Sequence, residues 1–319
     1  MLADQQPRWN KYIRLIGTLI SLVLLGYFFY RVGMKDFLTA IQKISMSGIL
    51  FAILLTFISR LATFLRWHVL LQGGDTSVSW KDSLRLTFAG LFAANFLPTT
   101  IGGDVLRLAG ALRLGIDAAR AAASLVADRL VGMAGMALVA PLGLAPLVAK
   151  ITAKTTLFPL VVAALTGQKK SFTEKIKLWI EKLISSFRFW YHNPGKVMMA
   201  LFFTFIHMAC IFGIIQILSG EMGESLSFWK IAGLWSLTYF ITLLPVSING
   251  LGLQEVSFVN LFGLLGGLST GSGLSIALIM RGLMLIGSIP GAFFVSDLLQ
   301  GKKSNGAPAG GEVEGYEGQ

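Results

Sequence analysis

Six stretches of this chain, roughly 13–30, 48–71, 118–142, 144–166, 197–219 and 275–299, stay apolar long enough to cross a hydrocarbon layer of ~30 Å. No other feature constrains the fold as tightly. Backbone polar groups inside a bilayer must be satisfied within the segment, so runs of this length and spacing call for α-helices. Composition agrees: charged residues are 13% of the 319 and apolar ones 54%, with 23 phenylalanines. A soluble domain has too little interior to hide that much apolar surface. The sequence therefore predicts an all-α polytopic membrane protein with about six spanning helices.

Two further apolar segments are shorter and interrupted by Pro and Gly, 84–97 with 100–112 and 229–245 with 250–268. Their interruptions match. Residues 97–103 read LPTTIGG and 244–250 read LPVSING, four identities in seven at a separation of 147. Pro98, Gly102 and Gly103 mark the first break, and Pro245, Gly250 and Gly252 the second. An acid follows each, Asp104 and Glu255, and the next helix then carries an arginine, Arg129 and Arg281. Broken segments at corresponding places in two halves point to a transporter's binding site. The reading is two re-entrant hairpins related as an inverted internal repeat, with half-repeats of about 48–166 and 197–299.

The net charge of +11 could serve nucleic acid, but the basic residues cluster at the ends of apolar runs, where the positive-inside rule wants them. Lys81, Arg85, the stretch Arg107–Arg120, the loop Lys169–Lys196 and Lys302–Lys303 all ask for the cytoplasm, as do Arg8, Lys11 and Arg14 before an uncleaved first span. The 219–229 loop carries Glu221 and Glu224 and suits the outside. These demands agree if each hairpin returns to its own side, the first entering from the cytoplasm and the second from outside, which leaves both termini cytoplasmic. Arg31, Lys35 and Lys43 fit this scheme less well. Residues 169–192 alternate a basic with an aromatic face, suiting a helix in the headgroup plane or one packed on the protein's own cytoplasmic surface. Residues 1–300 read as one integral domain, and the Gly-rich 301–319 as a disordered tail. One cysteine, Cys210, and three scattered histidines leave no disulfide and no metal site, so no cofactor is expected.

Charges at bilayer depth are costly and mark function. The candidates are Arg60, Asp104, Arg107, Asp128, Arg129, Glu255 and Arg281, four cations against three anions. An anionic phosphodiester would balance that excess, and the planar guanidinium fork suits phosphate. Each residue also has a plainer role. Arg60, mid-run, is a phosphate anchor or a counter-ion for Asp104 or Asp128; Asp104 caps its helix and pairs with Arg107. Asp128 and Arg129 point about 100° apart, so each needs a partner on another helix. Glu255 takes an amine, a proton or Arg281. His207 reads as a hydrogen-bonded helix residue, and Ala119, Ala123, Gly132 and Gly135 as small residues for close packing.

NFLPTTIGGDVLR (95–107), SLVADRLVGM (124–133) and LPVSINGLGLQE (244–255) together resemble the membrane domain of the lysylphosphatidylglycerol synthase/flippase family, over about residues 10–300. Some members fuse that domain to a soluble aminoacyl-transferase, and about 20 residues after the last span leave no room for one here. The resemblance implies lipid flipping across the cytoplasmic membrane, with membrane phospholipids as partners and no enzymatic step. The alternatives are a scaffold for a separate lipid-synthesising enzyme and an intramembrane headgroup transferase.

Overall fold

The computed structural model describes residues 42–72, 78–95, 102–143, 193–243 and 250–300, together with Thr39. The expected spans 13–30 and 144–166, the helix 169–192, the tail 301–319, and Pro98 and Pro245 lie outside the described residues.

Among the described residues the structure is helical throughout. The chain order is α1 (Met46–Leu71), α2 (Trp80–Ala94), α3 (Gly102–Arg113), α4 (Ala118–Val139), α5 (Pro194–Glu221), α6 (Phe228–Thr242), α7 (Leu253–Leu261), α8 (Thr270–Ile286) and α9 (Pro290–Gln300). A π-helical turn, Phe262–Gly266, prolongs α7. Four stretches are long and apolar enough to cross a membrane: Met46–Leu71, Ala118–Gly143, Pro194–Glu221 and Thr270–Val295. Each coincides with one of the six apolar runs. The last was expected as one helix and is two, because Gly287–Ile289 form a turn and Pro290, lacking an N–H, opens α9.

The longest packed pair, α1 and α5, runs antiparallel, and polar contacts pin both ends. At one end the Glu221 carboxylate accepts from the Ser45 amide at 2.9 Å and the Ser45 hydroxyl at 2.8 Å, while Ser45 caps α1 through the Gly48 amide. At the other, Lys196 Nζ donates to the Gln72 carbonyl at 2.8 Å. Halfway along, Ser59 Oγ lies 2.7 Å from His207 Nδ1, so His207 is the hydrogen-bonded helix residue its sequence context suggests. The Lys196 end also gathers Lys81, Arg113 and Arg120, whose guanidinium bonds the Leu71 carbonyl. The Glu221 end gathers Glu224 and the start of α8.

Both interrupted segments fold as two short helices that pack on each other. Val78 and Leu86 before and in α2 share one buried cluster with Ala111 and Ile116 at the end of α3, beside Trp67 and Leu71. The segment thus returns to the end from which it started. In the second segment Lys230 Nζ, near the start of α6, reaches the Gly266 carbonyl where the π-turn stops. That segment starts and stops at the opposite, Glu221 end.

Glycines permit the tightest crossings. A Cβ on Gly103 would lie 2.4 Å from the Gly90 carbonyl oxygen, so α2 and α3 touch backbone to backbone. Gly143 and Gly233 do the same between the end of the α4 span and α6, and Gly291 sets α9 against Phe88 of α2. Gly135 seats Thr204 of α5. Ala119, by contrast, faces outward.

Candidate functional site: two ion-paired centres

Each interrupted segment delivers an acid into the first turn of its returning helix. Asp104 opens α3, Glu255 opens α7, and a carboxylate there is favoured by the unpaired amides of the helix start. The approach differs between the two. Gly102 and Gly103 lie inside α3 and let α2 come close. Gly250 and Gly252 adopt left-handed φ of 69° and 74°, which lets the chain reverse into α7.

The first centre joins three helices. Arg66 of α1 donates through Nε to Asp128 Oδ1 of α4 at 2.6 Å. Arg107 of α3 spans both acids, its Nη1 lying 3.2 Å from Asp128 Oδ2 and 3.1 Å from Asp104 Oδ1. Arg129 of α4 donates through Nε to Asp104 Oδ2. All four carboxylate oxygens therefore carry a guanidinium contact. The Arg107 guanidinium also lies 4.1 Å over the Trp67 ring, a favourable place for a partly desolvated cation. Its Nε and Nη2 have no hydrogen-bond partner among the described residues. Among the described residues three guanidiniums meet two carboxylates here, and the Arg129 side chain is 39% exposed. Asp128 stands 11 residues from the N-cap Asp117, about 16 Å along the helix.

The second centre is smaller and closed. Arg281 of α8 directs Nε at 2.8 Å and Nη2 at 2.7 Å onto the same oxygen, Glu255 Oε1. Oε2 is buried with no hydrogen-bond partner among the described residues. Glu255 is 2% exposed and the Arg281 side chain 17%. The charges cancel.

Six of the seven charged candidates thus fall into these two centres, and the cross-helix partners that Asp128 and Arg129 require are Arg66 with Arg107, and Asp104. Arg60 does not join them. It donates through Nη2 to the Met284 carbonyl at 3.3 Å and packs against Gly287, next to the Asn95–Ser288 hydrogen bond of 2.9 Å that ties the end of α2 to the α8–α9 turn. Asp128 takes Arg66 in its place. Six positions further along α1, Arg66 points about 120° away from Arg60. The sequence held a signal for it: Thr56, Ser59, Thr63 and Arg66 form a polar stripe at helical spacing, and the first three are buried. Among the described residues no cluster of His, Cys, Asp and Glu could hold a metal ion.

Comparison with curated proteins returned no match. A family model described as the lysylphosphatidylglycerol synthase TM region matches residues 14–291, which takes in every element of both centres. The chain therefore belongs to that family, and is an integral membrane protein whose role is tied to membrane lipid.

Proposed function

We propose that the chain moves an anionic phospholipid between the leaflets of the cytoplasmic membrane, with the headgroup phosphate passing over the Arg66–Arg107–Arg129 centre while the acyl tails stay in lipid. One observation carries this reading: an intramembrane centre whose bridging arginine, Arg107, keeps Nε and Nη2 buried with no hydrogen-bond partner among the described residues. A monoanionic phosphodiester supplies acceptors for those N–H groups, and burying it beside guanidiniums costs less than burying it in an apolar site. The protein acts on this reading as a transporter with no chemical step of its own.

The architecture supports alternating exposure. The order of one long helix, two short ones and another long one recurs after 193, and the first helices of the two sets, α1 and α5, are antiparallel, as an inverted repeat requires. With Lys81, Arg113, Arg120 and Lys196 at the cytoplasmic end, the first hairpin is re-entrant from the cytoplasm and the second from outside. Six spans and two cytoplasmic termini complete this topology.

The test is transport by purified protein in liposomes holding a tail-labelled phosphatidylglycerol analogue, with a membrane-impermeant quencher added outside. Protein-containing vesicles should lose nearly all the label, and empty ones only the outer leaflet's share. Arg107→Lys and Arg129→Lys should slow the exchange, because lysine keeps charge and loses the bidentate fork. Exchange no faster than in empty vesicles would defeat the reading.

A further inference from the structure

The second centre holds a buried carboxylate oxygen with no hydrogen-bond partner among the described residues. We propose that Glu255 Oε2 is a proton-binding site, and that one proton travels with each anionic headgroup through the second half of the molecule. This rests on the reading of the chain as a lipid translocator and adds its energy source.

The carboxylate geometry selects this acid. In Asp104 and Asp128 every oxygen already faces a guanidinium, so a proton on either oxygen would sit against an arginine. In Glu255 both Arg281 contacts fall on Oε1, and Oε2 is buried and unpartnered. A proton can settle on Oε2 while Oε1, now the carbonyl oxygen of a neutral acid, goes on accepting from Arg281. The step is an O–H bond formed with a proton from water on one side and broken to water on the other, with no change of oxidation state. Among the described residues the surroundings offer no competing carboxylate. Facing Glu255 from α8 is Arg281. On α6, packed against α7, Lys230 is held at the Gly266 carbonyl, and Tyr239 lies within electrostatic reach of Arg66, Asp128 and Arg129 in the first centre. Neither α7 nor its π-turn carries another titratable group.

The coupling follows from charge. A monoanionic phosphodiester brought to the ionised Glu255–Arg281 pair would leave a net negative charge at depth. Protonation turns that pair into a single cation, Arg281, and the same headgroup then fits without net charge. Lipid and proton move together as a neutral pair, so the pH gradient drives them and the membrane potential does not.

Two measurements on the full chain test this. In the first, vesicles carrying the labelled phosphatidylglycerol analogue receive a pH step of one unit. One-to-one coupling should drive the analogue toward about a tenfold leaflet ratio, with matching proton movement reported by an internal pH dye. In the second, infrared titration of the protein in lipid nanodiscs should show a protonated-carboxyl band that Glu255→Gln removes. Lipid exchange that ignores the gradient and moves no protons overturns the coupling and leaves translocation standing. A band that Glu255→Gln leaves in place overturns the assignment to this residue. Absence of any lipid exchange, with or without the band, overturns the translocator reading and the coupling with it. The wild-type flux needs no variant, so a misfolded Glu255→Gln cannot obscure the result.

Discussion

The centres at Asp104 and at Glu255 start from the same plan and end in different electrostatics. In each, an acid in the first turn of a returning helix pairs with an arginine on the next long helix, Asp104 with Arg129 and Glu255 with Arg281. The first half adds Arg66, Arg107 and Asp128, and so becomes a shared network in which no carboxylate oxygen is spare. The second half stops at the pair. A network whose bridging Arg107 keeps buried N–H groups without partners among the described residues suits holding an anion; a closed pair with a spare carboxylate oxygen suits changing its own charge.

The largest effect that could break this comparison comes from removing one acid on each side. Asp128→Asn keeps the shape but offers one acceptor where two guanidiniums need one each, and turns an amide N–H₂ toward the other. Stripping a buried ion pair of one partner costs about 3–5 kcal/mol, and here the group removed serves both Arg66 and Arg107. Glu255→Gln should cost less, about 1–2 kcal/mol: its carbonyl replaces Oε1 toward Arg281 and its amide fills the Oε2 position that has no partner. Thermal unfolding of both variants in one detergent gives the ranking. Equal losses would mean that the second centre is as tightly networked as the first.

A middle-sized effect separates the glycines. Gly103 is needed for space, since a Cβ would meet the Gly90 carbonyl oxygen at 2.4 Å. Gly250 is needed for its dihedral, since its φ is 69° and the nearest atom to a Cβ lies 3.8 Å away. Gly103→Ala should therefore cost about 1–3 kcal/mol by overpacking, and Gly103→Asn at least as much. Gly250→Ala should cost about 1–2 kcal/mol through the left-handed conformation, and Gly250→Asn less, because asparagine tolerates that region. If asparagine is no better than alanine at position 250, the turn is held by packing and the contrast between the hairpins disappears.

The sequence disclosed the parts of this arrangement that depend on chain order. Length and hydropathy located the four described spans, because crossing a bilayer sets a length. Among the described glycines of the two interruptions, Gly250 and Gly252 stand in the turn before α7, while Gly102 and Gly103 begin α3 itself. Two of the pairings, Asp104 with Arg107 and Glu255 with Arg281, were legible from spacing and order, whereas the partner of Arg129 was legible only as one on another helix. What depends on the rotation of one helix against another was not legible. Arg60 drew attention because it lies mid-run, yet which arginine of α1 meets Asp128 is decided by helix phase, and Arg66 has the right one. The turn at Gly287–Ile289 was hidden for a similar reason: an apolar run reads as continuous even where Pro290 starts a new helix. Glu221 and Glu224 were informative only as charges that orient a loop, because capping of α1 and α8 is a long-range contact.

That loop supplies the smallest effect. It sits beside the second hairpin and bears on how firmly α8, and hence Arg281, is held. Glu224 accepts from the Ser269 amide at 2.7 Å and from the Ser269 and Ser272 hydroxyls, both at 2.6 Å, at the start of α8. Burial pushes its carboxyl up, but the serine hydrogen bonds, helped by Lys43, outweigh burial and hold it below its usual value of 4.5. A carboxyl depressed in the folded state contributes stability that is present above its unfolded pKa and is lost as pH falls through the folded one. Wild type should therefore lose a helix-capping contribution of about 1 kcal/mol on acidification below about pH 4.5, with no change from this group between pH 6 and 8. Glu224→Gln should begin less stable at neutral pH and converge on wild type in acid. The measurement is the difference in unfolding temperature between the two proteins from pH 7 to pH 3. A difference that stays constant across that range would mean that the charge of Glu224 does not hold α8, and that the second centre is positioned by packing alone.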